Sequence, residues 1–175
     1  LPILTSLMLL IAGVGSILGA LGGGRLADRL GRKPVLVAAG MLCCLGTRCQ
    51  ALVPEGDWRA FTLLRFVVGM GYGACGSTQF ALIAECTPRA RRTLITSSLG
   101  IPAGLGLLLA SSVVSVLFAH IGWRGTALLG FLPLVVVALI AGFVPESPRW
   151  LLTVGRVEAS KRAANRILVL PDHDA

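Results

Sequence analysis

The chain has 175 residues, 55% of them hydrophobic and only 14% charged, with a net charge of +8 and a mean hydropathy of +0.83. A soluble domain of this length carries about a quarter charged residues, so a water-soluble domain is excluded by the apolar surface it would expose, and a signal peptide with a mature domain is excluded because apolar stretches recur along nearly the whole length. Nucleic acid is excluded as a partner, because phosphate-gripping cations form one patch or stripe and here they fall in short clusters between long apolar runs.

Five stretches are long enough to cross a hydrocarbon core, which takes about 20 helical residues. They cover about 3–24, 34–53, 58–84, 94–119 and 123–144. Backbone groups in lipid must be satisfied within the segment, so the predicted fold is all-α. In the first stretch Gly15, Gly19 and Gly23 recur every four residues, a spacing that permits close helix contact. The second stops at the turn Pro54-Glu55-Gly56-Asp57.

The third stretch holds Arg65. An arginine within a lipid-spanning helix is expensive and belongs against protein or a water-filled cavity. Helical spacing sets Arg65, Gly69, Tyr72, Gly76 and Gln79 on one stripe, with Phe66, Val67, Met70 and Phe80 opposite. Arg65, Tyr72 and Gln79 are therefore expected to line a substrate cavity, and Gly69, Gly71 and Gly73 to serve helix packing. A nucleotide-binding glycine loop would need a preceding strand, which a helix does not supply.

Residues 1–145 thus form the membrane part, and 146–175 begin a loop on one membrane face. Within that loop 157–169 sets Lys161, Arg162 and Arg166 against Val157, Ala164, Ile167 and Leu168. The pattern fits an amphipathic helix on the membrane surface or a solvated linker.

One set of helix ends carries Arg25, Arg29, Arg32, Lys33, Arg89, Arg91, Arg92, Arg149, Arg156, Lys161, Arg162 and Arg166, and the other only Arg48, Arg59 and Arg124. The positive-inside rule makes the first set cytoplasmic, and successive loops then alternate sides. The chain is apolar from Leu1 and lacks an initiator Met. A fragment is expected, missing at least one earlier helix and everything beyond residue 175.

Four short motifs sit on these elements: Gly24-Arg-Leu-Ala-Asp28-Arg29-Leu-Gly31-Arg32-Lys33, read as a very short turn; Arg65-Phe-Val-Val-Gly69-Met-Gly71-Tyr-Gly73; Glu85-Cys-Thr-Pro88-Arg-Ala-Arg-Arg92; and Pro145-Glu146-Ser147-Pro148-Arg149-Trp150-Leu151. In the first, Asp28 is an acid among cations, placed to meet an arginine or a helix N-terminus.

The set closely resembles the major facilitator superfamily, which carries G-x-L-a-D-r-x-G-r-k between its second and third helices, R-x-x-x-G-x-G in the fourth, E-x-x-P-x-x-x-R after it and P-E-S-P-R-[WYF]-L after the sixth. The resemblance covers essentially the whole chain. It implies helices two to six of twelve, part of the N-terminal six-helix bundle. It also implies a cytoplasmic gate built from Gly24, Asp28, Arg29, Gly31, Arg32, Glu85, Arg92, Glu146 and Arg149.

The last motif is shared by sugar porters and by organic-ion and aromatic-acid carriers. The stretch from Glu85 to Gly122-Trp123-Arg124 is nearer the organic-acid group, although Ser77-Thr78 replaces that group's Pro-Asn. Gly100-Ile-Pro102-Ala-Gly104-Leu-Gly106 lacks the full G-P-x-x-G-G antiporter signature, which favours symport or uniport. The implied activity is secondary transport of a small organic solute by alternating access against a second bundle. Proton-coupled symport of an organic, aromatic acid is the first reading. A sugar or organic-cation porter, or a non-transporting receptor or scaffold on the same fold, is the alternative, and a channel is a further rival. The expected location is the cell membrane, multi-pass, with the motif loops cytoplasmic.

Enzymatic chemistry has no support. Cys43, Cys44, Cys49, Cys75 and Cys86 lack metal-ligand spacing, His120 and His173 lie far apart, and no nucleophile elbow or Walker loop is present. No cofactor or metal is expected. The expected partners are a small-molecule substrate, protons, the bilayer and the C-terminal bundle of the same protein.

Overall fold

A computed structural model describes residues 2–54, 56–87, 92–128 and 132–168. These residues form eight helices: α1 Pro2–Leu30, α2 Arg32–Ala51, α3 Trp58–Cys86, α4 Arg92–Ser98, α5 Gly100–Leu128, α6 Leu132–Phe143, α7 Pro148–Thr153 and α8 Val157–Leu168. The fold is all-α, with no strand among the described residues.

The segment read as a turn at 24–33 is mostly helix. Residues 24–30 contain no helix breaker after Gly24, so α1 runs on to Leu30 and buries Ala27. The reversal falls on Gly31 alone, whose φ of 108° suits only glycine without strain. A second positive φ, 66° at Gly122, breaks α5 where the fourth apolar stretch passes into the fifth. The fifth stretch is described as 123–128 and as Leu132–Phe143; residues 129–131 lie outside the described set.

Four described segments are long and apolar enough to cross a membrane: Ile3–Leu30, Arg32–Ala51, Trp58–Cys86 and Thr93–Phe118. Large apolar side chains point outward along them, among them Leu9, Leu10, Leu107 and Leu109. Water would penalise that surface heavily, whereas acyl chains or further helices solvate it. Several hydroxyls inside the helices are satisfied locally, as where Thr62 donates to the Trp58 carbonyl at 2.7 Å and Thr47 to that of Cys43 at 2.8 Å, whereas the buried Thr78 hydroxyl and Gln50 amide nitrogen have no partner among the described residues.

Glycines set how closely α1 and α3 approach. A Cβ on Gly15 or Gly19 would strike the carbonyl oxygen of Phe66 or Met70, and one on Gly23 would lie 2.5 Å from the Cβ of Ala74. Reciprocally, Gly69 faces the carbonyl of Ala12 and Gly73 that of Ser16. The partners ascend together in sequence, so α1 and α3 run parallel, as two helices separated by one intervening span must. Against α2 the order reverses: Gly71 faces Cys43 and Gly46 faces Val68, which makes α2 antiparallel to α3. With no hydrophobic drive between helices in lipid, such close backbone approach supplies the attraction. Helix α6 joins through Val137, whose Cγ2 lies 2.6 Å from where a Cβ on Gly40 would stand.

The tail forms helix α8, docked on α7. Ser160 and Ala163 are buried, and the Ser160 hydroxyl donates to the Pro148 carbonyl at 2.9 Å.

Candidate functional site

Where α1, α2 and α3 end on the arginine-rich side, their charged residues converge. Arg32 opens α2 one residue after the Gly31 reversal, which swings its guanidinium back over the last turn of α1 and towards the end of α3. Nη1 pairs with the Asp28 carboxylate. Nε and Nη2 reach Glu85, the latter at 2.9 Å. The side chains of Arg32 and Glu85 are 14% and 18% exposed and that of Asp28 is 66% exposed, so the Glu85 arm is the sheltered one. A planar guanidinium serves both acids because its donors form a fixed fork.

The Pro145–Leu151 segment clasps this cluster. Glu146 Oε1 accepts the backbone N–H groups of Arg32 at 2.9 Å, Lys33 at 3.0 Å and Ser147 at 3.0 Å. Gly31, at the N-cap of α2, offers no side-chain cap, so the carboxylate that meets this helix N-terminus comes from 114 residues away. The first N–H groups of a helix lack internal partners and carry partial positive charge, so a carboxylate is the natural acceptor. A side chain at Gly31 would collide with that carboxylate, its Cβ lying 2.7 Å from Glu146 Oε2. Ser147, fully buried, donates to Glu85 at 2.5 Å while its hydroxyl also caps α7 at Trp150 N. The Trp150 indole N–H donates to the Asp28 carbonyl at 2.9 Å. One short segment thereby ties together the ends of α1, α2 and α3.

The expected gate residues divide into three groups. Asp28, Arg32, Glu85 and Glu146 are brought together around the Gly31 reversal. Asp28 meets an arginine, and Glu146 takes the helix N-terminus. Gly24 sits within α1, with nothing within 4 Å of an added Cβ. Arg29 and Arg149 are exposed and make no ion pair among the described residues. The Arg92 side chain lies outside the described residues.

Ser147 and Trp150 join the cluster although sequence reasoning did not single them out. A Ser-Pro pair is an N-cap followed by a first-turn proline, a recognisable helix start, but their distant partners leave no mark in spacing.

The other candidate residues are on α3. Arg65, Tyr72 and Gln79 are exposed on one face, two turns or about 10 Å apart along the axis. Tyr72 is 73% exposed. The Arg65 guanidinium lies 5.4 Å over the Phe61 ring and makes no ion pair among the described residues. Gly69, which shares the stripe by spacing and is also expected to serve packing, turns into the α1 contact with Gly73, while Gly71 serves α2. The polar stripe is therefore narrower than its spacing suggested: Gly76 borders it, with nothing within 4 Å of an added Cβ, and Gly69 leaves it.

The family model described as "Sugar (and other) transporter" matches residues 1–175. The 4-hydroxybenzoate transporter PcaK of Pseudomonas aeruginosa is 37% identical over 144 residues, 82% of this chain and 32% of that protein. The niacin transporter NiaP of Acinetobacter baylyi is 34% identical over 157 residues, 88% of this chain and 35% of that protein. The structure of the proton:xylose symporter XylE, a major facilitator protein, superposes with a TM-score of 0.85 at 24% identity, covering 94% of this chain and 40% of that one; XylE comes from E. coli. The chain thus spans about a third of the length of its curated relatives, which are transporters and not enzymes. With its membrane-spanning helices, its four motifs and the family match over its full length, the chain is an integral membrane protein of the sugar (and other) transporter family, belonging to the N-terminal half of the major facilitator fold.

Proposed function

We propose that this chain supplies the inner gate and part of the substrate face of a secondary transporter that carries a small organic acid with protons by alternating access. The observation that carries the reading is Arg65. It is a cation inside a membrane-spanning helix, on an exposed polar face, beside an aromatic ring and without a carboxylate partner among the described residues. A substrate carboxylate would supply the missing countercharge, and Phe61 offers a surface for a ring. Support also comes from the relatives, since 4-hydroxybenzoate and niacin are both aromatic carboxylates.

A neutral sugar is the second reading. The fold match to a proton:xylose symporter favours it, and Tyr72 and Gln79 are hydrogen-bonding groups suited to hydroxyls. It leaves Arg65 unneutralised.

Uptake by the full-length protein in proteoliposomes separates the two. A hydrogen bond to a charged group contributes about 1.5–3 kcal/mol, so Arg65→Ala is expected to lower uptake of a benzoate-type acid by about tenfold or more. Uptake of a neutral sugar, if any, should change far less. Full acid transport by Arg65→Ala would overturn the assignment.

In the same reading the Arg32 cluster is a cytoplasmic gate. Its strength would differ between two conformations, as a switch requires. Exposed Asp28, Arg29 and Arg149 are the groups available to reach a second bundle. Asp28→Asn is expected to slow transport several-fold. It should cost stability less than about 1 kcal/mol, because the Asp28 side chain is largely solvated and Arg32 keeps its Glu85 partner. Transport assays beside thermal melting check this, and an unchanged rate would refute a gating role for Asp28.

A further inference from the structure

A cavity of about 570 Å³ with a mixed, partly charged lining opens beside the charged cluster. Its walls come from the first turn of α2 (Lys33), the end of α6 (Val144), α7 (Leu151) and α8 (Arg162 and Asn165), with Glu146 between them. The cavity at the opposite end of the bundle, lined by Met8, Val53, Trp58 and Phe61, is almost wholly apolar.

Lys33 and Arg162 line this cavity without carboxylate partners among the described residues. Neither makes an ion pair among the described residues, and the Arg162 side chain donates only a long 3.4 Å bond to the Glu158 carbonyl. Glu146 is the acid among the described lining residues, and its Oε1 already accepts three backbone N–H groups. The α2 N-terminus offsets part of its charge, and two cations against one partly offset carboxylate leave the described lining net positive. By contrast Lys161, next to Arg162, is paired with Glu158 at 3.2 Å.

The cavity also borders an apolar helix. Val144 directly follows the apolar helix α6, whose Val135, Val136, Leu139 and Phe143 are exposed. A ligand here meets two cations and an amide next to the exposed apolar side chains of α6.

We infer that this cavity binds the phosphate headgroup of an anionic phospholipid, with Lys33 and Arg162 as the charged contacts and Asn165 as a hydrogen-bonding partner. Cations form short charge-assisted bonds to phosphate oxygens, and basic pockets between membrane helices take anionic headgroups. The inference rests on membrane embedding and not on which substrate is carried.

Native mass spectrometry of the full-length protein, titrated with phosphatidylglycerol or phosphatidylcholine, tests it. Phosphatidylglycerol should bind preferentially, and each cation removed should weaken it about fivefold. The double variant Lys33→Gln/Arg162→Gln is expected to lose the preference. Arg162→Gln alone, at an exposed position, should lose about fivefold and covers the case in which the double variant does not fold. Lys161→Gln removes the same charge from the same helix outside the cavity and should leave binding unchanged. Equal binding of phosphatidylglycerol by wild type and Arg162→Gln, or an equal loss in Lys161→Gln, would overturn the site. Inorganic phosphate that displaces the lipid at matching concentration would assign the cavity to a soluble anion and overturn the lipid reading.

Discussion

Arg32→Ala is expected to abolish most transport, by about tenfold or more, and to lower thermal stability. Arg32 holds two acids at once, Asp28 in the open and Glu85 in a sheltered position. Its removal leaves the Glu85 carboxylate with the Ser147 hydroxyl as its remaining partner in the described network. Leaving a sheltered charge without its partner costs more than the pair itself gains. At 18% exposure water recovers part of that cost, so a stability loss of about 2 kcal/mol is expected.

Two companion variants give the prediction a sharper form. Arg32→Lys should be intermediate, because an ammonium is a point charge that cannot span both carboxylates in the same geometry. Glu85→Gln added to Arg32→Ala should restore much of the stability, since it removes the orphaned charge, while leaving transport impaired. Melting curves and uptake rates measured on the same preparations would show this split. A double variant as unstable as Arg32→Ala alone would contradict the account of the cluster.

The second large effect is expected at Gly73. A Cβ there would collide with the backbone carbonyl of Ser16, and no side chain can move aside to receive it. Overpacking a close contact costs about 1–3 kcal/mol, and a backbone-to-backbone collision belongs at or above the upper end. Gly73→Leu should force α1 and α3 apart, and the protein should fail to give a monodisperse peak in detergent. Gly22→Leu is the control: Gly22 lies on α1 with nothing within 4 Å of an added Cβ, and it should behave as wild type in size-exclusion chromatography. Equal behaviour of the two variants would show that the glycines do not set the helix approach.

Much of the architecture was legible because lipid leaves few options. An apolar run of about 20 residues has to be a helix. The four-residue spacing of Gly15, Gly19 and Gly23 marked the α1 surface that meets α3. What spacing could not reveal was partner choice across the chain. Nothing near Glu146 says that its carboxylate will cap α2, because that contact depends on how α6 returns beside α2. Gly69 illustrates a second limit. Helical periodicity puts it within a broad stripe with Arg65 and Tyr72, but only the position of α1 shows that it faces inward. The reading of residues 24–33 as a turn failed for a local reason: the density of charge suggested a loop, whereas a helix tolerates exposed charge in its last turn and stops only at Gly31.

The polar face of α3 shows the same division. An arginine in a spanning helix is visible at once in sequence. Its neighbour Phe61, one turn earlier, acquires meaning only when the guanidinium is seen over the ring.

The most direct test of the account is uptake of a labelled benzoate-type acid by the full-length protein in proteoliposomes with the interior held alkaline. Saturable accumulation above the external concentration is expected, lost when a protonophore collapses the gradient. Uptake that never saturates, or accumulation indifferent to the proton gradient, would contradict it.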